Sequence, residues 1–496
     1  MPIRPDSSST MHRSNDASSN RRSTSSTTAP PKNAATGDVY RIFHNAARPA
    51  LLLILLTAGC RTMPPAPPAA DLHLPGPAQS AAAALPDRLD LQAAKSAALK
   101  HNPDLEVTRA RIRSAGARLR EAGTRYAPVV RAGFSVIHTQ DVPSSQSFLT
   151  GERFETYSPS LTFEWLAFDG YARQLGEHAT AQDLSTSEAV HDNARRLLLG
   201  AVSRAWYSAA LARERMRITA ADRDFNQRLL DDMRQQVEAE QASRTDANNF
   251  ELRRNNADVQ FINAERDYTL SLTILAELLG LPDADLSGRL DFDIADDELP
   301  EKSEPGLDEL LDIARQQRAD LEELRATMAA LKAREAAAQA AKSPTVLLSA
   351  ELGAASRDNV EFEDDERSGS LGVVATWDLY TGGAKQAAVD TAAADYEVAV
   401  RQLQDRWQEI VGEIRRQLPI IAAARQRLKL NRESVALARQ IRDDIEPAWR
   451  AGTEPLTRLN EAQRDLNVAE LNLAVVRAEL LQARSDLDTA TGSILD

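Results

Sequence analysis

The second half of this chain repeats the first, with an offset of 212 residues over most of its length. Trp165-Leu166-Ala167-Phe168-Asp169-Gly170 falls on Trp377-Asp378-Leu379-Tyr380-Thr381-Gly382, and Leu279-Gly280 falls on Thr491-Gly492. Nearer the start of each copy the offset is 216, so that Asp104-Leu105 meets Asp320-Leu321 and Pro128 meets Pro344. Two gapless matches separated by a small change in length describe a duplicated module with a variable loop. A module built twice in one chain usually builds something symmetric. The 496 residues therefore read as two copies of a unit of about 200 residues rather than as roughly three unrelated domains.

Aromatic residues make up only 5% of the chain, and Ala, Leu, Arg, Glu and Gln dominate it, which favours long helices over a large mixed core. The formal net charge of −14 repels a phosphate backbone, and no Lys/Arg block reverses it, so nucleic acid is excluded as a partner. The only cysteine, Cys60, directly follows the one strongly apolar run, Leu51 to Gly59, which Arg41 and Arg48 precede. That run is shorter than the ~20 apolar residues a membrane-spanning helix needs. A basic start, a short apolar stretch and small residues before a cut make a secretory signal. Small residues ending in Cys60 resemble a bacterial lipoprotein signal, which predicts cleavage before Cys60 and acyl chains on it. Arg61 follows where an Asp would favour retention at the inner membrane, so the outer membrane of a Gram-negative cell is the expected destination.

The expected organisation is a leader and signal at 1–59, removed on export. A lipidated Pro/Ala-rich tether follows at 60–85, then repeat 1 at 86–280 and an acidic linker at 281–304. Repeat 2 occupies 305–492 and a short tail 493–496. Within each repeat a helix comes first. Leu105, Thr108, Ile112, Ala115, Leu119 and Ala122 step by three and four, and Leu321, Leu324, Met328, Leu331, Glu335 and Ala338 take the same steps. Pro128 and Pro344 disfavour helix in the residue before them.

Alternation then replaces the helical period. Val130, Ala132, Phe134 and Val136 share one face, opposite Arg131, Gly133 and Ser135. Tyr157, Leu161, Phe163 and Trp165 alternate with Ser158, Ser160, Thr162 and Glu164. The second copy repeats this with Val346, Leu348, Ala350 and Leu352, and with Leu371, Val373, Ala375, Trp377 and Leu379. Runs of about ten residues suffice to cross a bilayer when tilted. Four strands cannot close a barrel, and an open sheet edge does not survive in lipid. Membrane strands here would therefore belong to a barrel shared between chains, eight-stranded for two chains and twelve-stranded for three.

After each barrel-to-helix turn (Trp165 to Gly170, and Trp377 to Gly382-Gly383) a helix of about 70 residues, or ~100 Å, is expected, followed by a return helix. The return helix of repeat 2 carries Leu459, Ala462, Leu466, Ala469, Leu473, Val476, Leu480, Ala483, Leu487 and Ala490. A stripe this regular predicts coiled-coil packing, not a ligand box.

Each unit thus reads helix, strand, loop, strand, long helix, turn, helix. Its opening is Leu89-Asp90-Leu91-Gln92-Ala93-Ala94, leading to Asn102-Pro103-Asp104-Leu105, and its doubled turn motifs keep the glycine pair at Gly382-Gly383 but place Tyr171 at the first copy's second position. This doubled order resembles the TolC-type outer membrane efflux family, in its lipoprotein branch, over about residues 86–492. The resemblance implies a mainly α fold with membrane β structure. It implies a homotrimer with one 12-stranded β-barrel, four strands per chain, continued by a long periplasmic α-helical barrel. It implies a passive exit duct docked to a periplasmic adaptor and an inner-membrane pump of RND or ABC type.

The resemblance also places adaptor docking at the turns far from the membrane. These are Ala451, Gly452, Thr453, Glu454, Pro455 and Leu456 in repeat 2, and Ala239, Glu240, Gln241, Ala242 and Ser243 in repeat 1. Glu240 stands where a glycine is expected, which makes the two tips unequal. The periplasmic gate falls on Arg458 and Glu461. Arg458 replaces a carboxylate and could pair within its own ring or with Asp246 of repeat 1. No catalytic motif and no metal-ligating cluster is present, so the chain reads as non-enzymatic, with no cofactor beyond lipid on Cys60. A lipid-anchored coiled-coil scaffold without a channel is the alternative.

Overall fold

The structure is a computed structural model that describes residues 85–86, 88–140, 153–292 and 305–495. Cys60, the signal and the tether up to residue 84 lie outside the described residues. Repeat 1 contains α1 (Leu91–His101), α2 (Pro103–Thr124), β1 (Val129–Gln140), β2 (Arg153–Phe168), α3 (Ala172–Glu238) and α4 (Arg244–Leu278). Repeat 2 contains α5 (Leu307–Gln317), α6 (Ala319–Ala340), β3 (Thr345–Ala354), the short β4 (Ser356–Arg357), β5 (Arg367–Thr376), α7 (Ala384–Arg450) and α8 (Leu456–Thr491).

Local chemistry sets the helix starts. Asp90 caps α1, its Oδ1 accepting from the Ala93 amide at 2.7 Å. Asn102 caps α2 in the same way, and Pro103 sits in that helix's first turn, where its missing N–H is harmless. The helix preceding each strand is therefore two helices, broken at Asn102 and again at Arg318. α3 and α7 each run 67 residues, about 100 Å at 1.5 Å per residue. α7 passes through Pro419 and Pro447 without ending.

All ten residues of the predicted α8 stripe are buried. From Ala469 to Ala490 they pack against Ile410, Ile414, Ile421, Ala424, Leu428 and Val435 of α7, each large side chain worth about 1.5–3 kcal/mol of burial. The matching stripe of α4 is thinner, with Phe250, Ala257 and Leu275 buried. The repeats interlock, because α3 packs against α6 and α8 of the second copy as well as against α4. The long helices form a layer in the order α4, α3, α8, α7.

The repeat is visible in single atoms. Trp165 Nε1 donates to the Tyr126 carbonyl at 3.0 Å, and Trp377 Nε1 donates to the Lys342 carbonyl at 3.0 Å. Gly280 and Gly492 both end their helices with positive φ. A Cβ on Gly280 would lie 2.3 Å from the His101 carbonyl oxygen, and one on Gly492 would lie 2.8 Å from that of Gln317. Each return helix thus ends tight against the break that precedes the long helix pair of its own repeat, where no side chain fits.

At those breaks the copies differ. Asn102 Nδ2 donates to the Leu278 carbonyl at 3.0 Å. Its counterpart Arg318 is wholly buried and donates through Nη1 to the Ala490 carbonyl at 2.7 Å. Arg318 also grips Asp320 through Nε at 2.9 Å and Nη2 at 2.7 Å, and meets Glu413 at 2.8 Å. Arg406 donates to the same Asp320 oxygen at 2.7 Å, while Arg196, reaching over from α3, donates to the Thr489 carbonyl at 2.7 Å. Burial pushes the Asp320 carboxyl up, but the hydrogen bonds and charges of Arg318, Arg406 and Arg196 outweigh it and hold it well below the usual carboxylate range. Burial, with the Arg318 charge, lowers the Arg196 guanidinium to about 10.

Candidate functional site

The four long strands form one antiparallel sheet in the order β1-β2-β3-β5, with β4 pairing the outer end of β2. The register sorts the side chains into rows. On one face lie Ala132–Leu161–Leu352 and Val130–Phe163–Ala350–Leu371, followed by Trp165–Leu348–Val373. On the other lie Gly133–Ser160–Gly353–Ser368, then Arg131–Thr162–Glu351–Ser370, then Val129–Glu164–Ser349–Gly372, with an apolar row Leu166–Leu347–Val374 at the helix end. The predicted faces are therefore the observed ones, with one adjustment. β5 stops at Thr376, so Trp377 and Leu379 belong to the turn and not to the strand. Alternation of an apolar and a hydroxyl-rich face is the pattern of a wall with lipid on one side and water on the other.

The turns below the sheet reverse the chain through left-handed backbone. Gly170 and Tyr171 have φ of 68° and 70°, and Gly382 and Gly383 have 63° and 87°. Tyr171 thus occupies the conformation its glycine counterpart adopts, with its ring edge-on to Phe168 at 5.9 Å. Asp169 at this turn receives the Arg173 guanidinium at 3.0 Å, whereas Asp378 at the second meets Lys385 at 3.3 Å.

At the far end, the two tips share one backbone. The Gln241 amide donates to the Gln236 carbonyl at 2.8 Å, and the Thr453 amide donates to the Ala448 carbonyl at 3.0 Å, the closure of a Schellman-type helix end. Gly452 takes φ 74° and Glu240 takes φ 61°. The expected inequality is therefore chemical and not conformational. Glu240 adopts the glycine shape at the strain of a left-handed side chain, about 1–2 kcal/mol. Glu240→Gly should keep the turn and slow amide exchange over residues 236–241. Gly452→Ala should speed exchange at its own tip by about tenfold, the equivalent of ~1.4 kcal/mol, as read by hydrogen–deuterium exchange.

Within the single chain the mouth residues Asp246 and Arg458 have local partners. Asp246 closes a capping box with Ser243, accepting from its hydroxyl at 2.7 Å and from its amide at 3.3 Å. Arg458 lies 3.5 Å from Glu454, in the tip just before its own helix begins. Both residues therefore have local partners, and Glu461 is exposed beside them. Pro455 stands where Ser243 caps α4, so α8 starts without a side-chain cap.

Sequence reasoning missed what joins the two hairpins just above the tips. Leu459 of α8 is buried in a cluster with Phe225, Leu229, Leu230 and Met233 of α3 and Phe250 of α4. A few turns higher, Asp222 Oδ1 accepts from Asn467 Nδ2 at 2.6 Å and from Gln463 Nε2 at 3.4 Å. Leu459 was visible as one member of the stripe. Asp222 sits among other polar residues and nothing in the pattern marks it. The arrangement as a whole holds a water-facing strand wall at one end of ~100 Å helices and two exposed, structured turns at the other.

The family described as Outer membrane efflux protein matches residues 94–281 and 310–493, one match in each copy of the repeat. PrtF of Dickeya chrysanthemi, a proteases secretion protein, is 24% identical over 380 residues, covering 70% of this chain and 81% of PrtF. The outer membrane protein TolC of Vibrio cholerae is 22% identical over 370 residues, covering 73% of this chain and 81% of TolC. Among solved structures, the CmeC outer membrane channel of Campylobacter jejuni aligns with a TM-score of 0.71 at 15% identity, covering 81% of this chain and 85% of CmeC.

Proposed function

The chain belongs to the outer membrane efflux protein family, and from that premise we propose that three copies close into one duct whose barrel, helical tunnel and tips all need the neighbouring chain. The protein is a non-enzymatic outer membrane efflux channel extending into the periplasm, the exit duct of tripartite efflux or type I secretion. The family supplies the number three; the observation that supports closure with a neighbouring copy is a shared pair of open ends. The sheet ends at β1 and β5, which have no outer partner among the described residues. The helix layer ends at α4 and α7. In lipid an unpaired strand edge leaves amides without partners, at several kcal/mol each. A copy that offers β1 and α4 to the β5 and α7 of the next satisfies both levels through one heterologous contact, which closes into a ring.

The tips, Ala239 to Ser243 and Ala451 to Leu456, are read as the surface that meets a periplasmic adaptor, and through it an RND or ABC pump. Asp246, Arg458 and Glu461 are read as the periplasmic gate. Cys60 is read as the lipid anchor after removal of residues 1–59, with 60–85 as its tether, 281–304 as the linker between repeats and 493–496 as a tail. Support for the anchor is the apolar run ending at Cys60. Support for a secretion role is the likeness to PrtF.

Two measurements test this. The purified protein should elute as a trimer and give discrete conductance steps in planar bilayers. A preparation that is trimeric yet never conducts, even with a tip-binding adaptor present, favours the scaffold. Mass spectrometry of the mature N-terminus should show acylated Cys60, and Cys60→Ser should leave an unlipidated precursor.

A further inference from the structure

We propose that Glu351 sets the charge selectivity of the barrel bore. The hydroxyl-rich face of the sheet holds three formal charges between its helix end and the Thr156–Arg357 pair at the outer end, namely Arg131, Glu164 and Glu351. Arg131 lies in the same row as Glu351, with Thr162 between them. Its guanidinium is nevertheless turned the other way, onto Glu164, at 2.5 Å. That pair is neutral. Glu351 is exposed, flanked by Thr162 and Ser370, and has no ion pair among the described residues. One carboxylate per chain is thus left uncompensated on this stretch of the wall, whose other side chains are Ser, Thr and Gly and, nearer the helix end, Val129, Leu166, Leu347 and Val374. The next basic residue on the face, Arg357 at the outer end, lies over the Phe154 ring at 4.3 Å.

This rests on the trimeric duct proposed above. Three chains then place three Glu351 carboxylates at one height in the bore, beside Arg131 residues already paired with Glu164. Low-dielectric walls focus the field of such a ring into the water they enclose, and rings of Glu or Asp favour cations in channels. The field reaches about 10 Å at 0.1 M salt but only ~3 Å at 1 M. The bore should therefore prefer cations in dilute salt and lose much of that preference in concentrated salt.

The test is the reversal potential of the purified trimer in neutral-lipid planar bilayers under a KCl gradient near 0.1 M. Wild type should reverse on the cation side. Glu351→Gln should move the potential toward zero, and Glu351→Lys should carry it to the anion side. Arg131→Gln, which strands Glu164, should move it further toward cations, and this variant reports on the bookkeeping independently of Glu351. All these side chains are exposed on the bore face, and elution as a trimer confirms assembly. A conducting wild type whose potential is unchanged in Glu351→Gln, or which shows no cation preference, overturns the proposal and leaves the duct standing. A trimer that does not conduct at all overturns the duct reading instead.

Discussion

Asp320→Asn should destabilise the protein by roughly 3–5 kcal/mol, the largest effect expected of any single isosteric change in it. The side chain is 7% exposed and its carboxylate is shared by Arg318, Arg406 and, at 3.9 Å, Arg196. An amide keeps the shape but removes the charge. Three guanidiniums then face one another, with Glu413, 2.8 Å from Arg318, and the more exposed Glu409, paired with Arg406, the carboxylates left. Arg318, with a wholly buried side chain, cannot turn to water. A second change, Arg318→Met, removes one of the stranded charges. The double variant should recover at least about 1 kcal/mol relative to the sum of the single changes, as coupled neighbours do. Denaturant unfolding of the four purified proteins measures the cycle, and simple additivity would show that the network is not a unit. The same group gives a pH dependence. Its folded pKa lies below the unfolded value. Its contribution is therefore complete above about pH 4 and fades as pH falls below that, toward the folded value. Asp320→Asn should flatten stability over that acid window.

The sequence and the structure part company at this cluster, and the reason is general. Periodic packing writes itself into a sequence many times over, so the α8 stripe from Leu459 to Ala490 could be read position by position, and every position is buried. The strand faces were legible for the same reason, since a slip of one residue would expose the whole apolar set. The doubled Trp165 and Trp377 marked both barrel turns. Features made by one residue meeting another across the fold have no such echo. Nothing near Arg318 announces that it reaches the Ala490 carbonyl, and its counterpart Asn102 makes the corresponding contact with different chemistry. Asp246 drew attention as a gate carboxylate because of where it falls in the repeat. Its partner within the chain is the Ser243 cap, a local role that the Ser-x-x-Asp spacing itself carries. Glu240 was read correctly as a departure from glycine, but the departure changed the side chain and left the turn intact.

Placing an aspartate at both Leu437 and Ile441 should abolish the trimer while leaving each chain folded. The argument starts from what the single chain leaves uncovered. On α7, Leu430, Leu437 and Ile441 are exposed, Leu437 by 61%. They recur at seven and four, one face of a helix. On α4, at the other end of the layer, Leu252, Val259, Ile262 and Ile274 are exposed, Ile262 by 59%, again at heptad-like spacing. Neither face has a neighbour among the long helices of its own chain, because α4 packs on α3 and α7 on α8. Stripes of this kind on the two terminal helices of one layer fit each other in the next copy. Each large apolar side chain so covered is worth about 1.5–3 kcal/mol, and a ring buries every such contact three times. Two buried carboxylates per interface would add a desolvation penalty of several kcal/mol each, so closure should fail outright and not merely weaken. Val468→Asp supplies the control. Val468 is half exposed too, but it lies on α8, between α3 and α7 and away from both ends. It should leave assembly untouched. Size-exclusion chromatography with light scattering in detergent reads the result. A Leu437/Ile441 double variant that still elutes as a trimer of wild-type stability would place the interface elsewhere. Loss of trimer in that variant alone would tie helix closure to barrel closure, since β1 and β5 lie at the same two ends of the chain's wall.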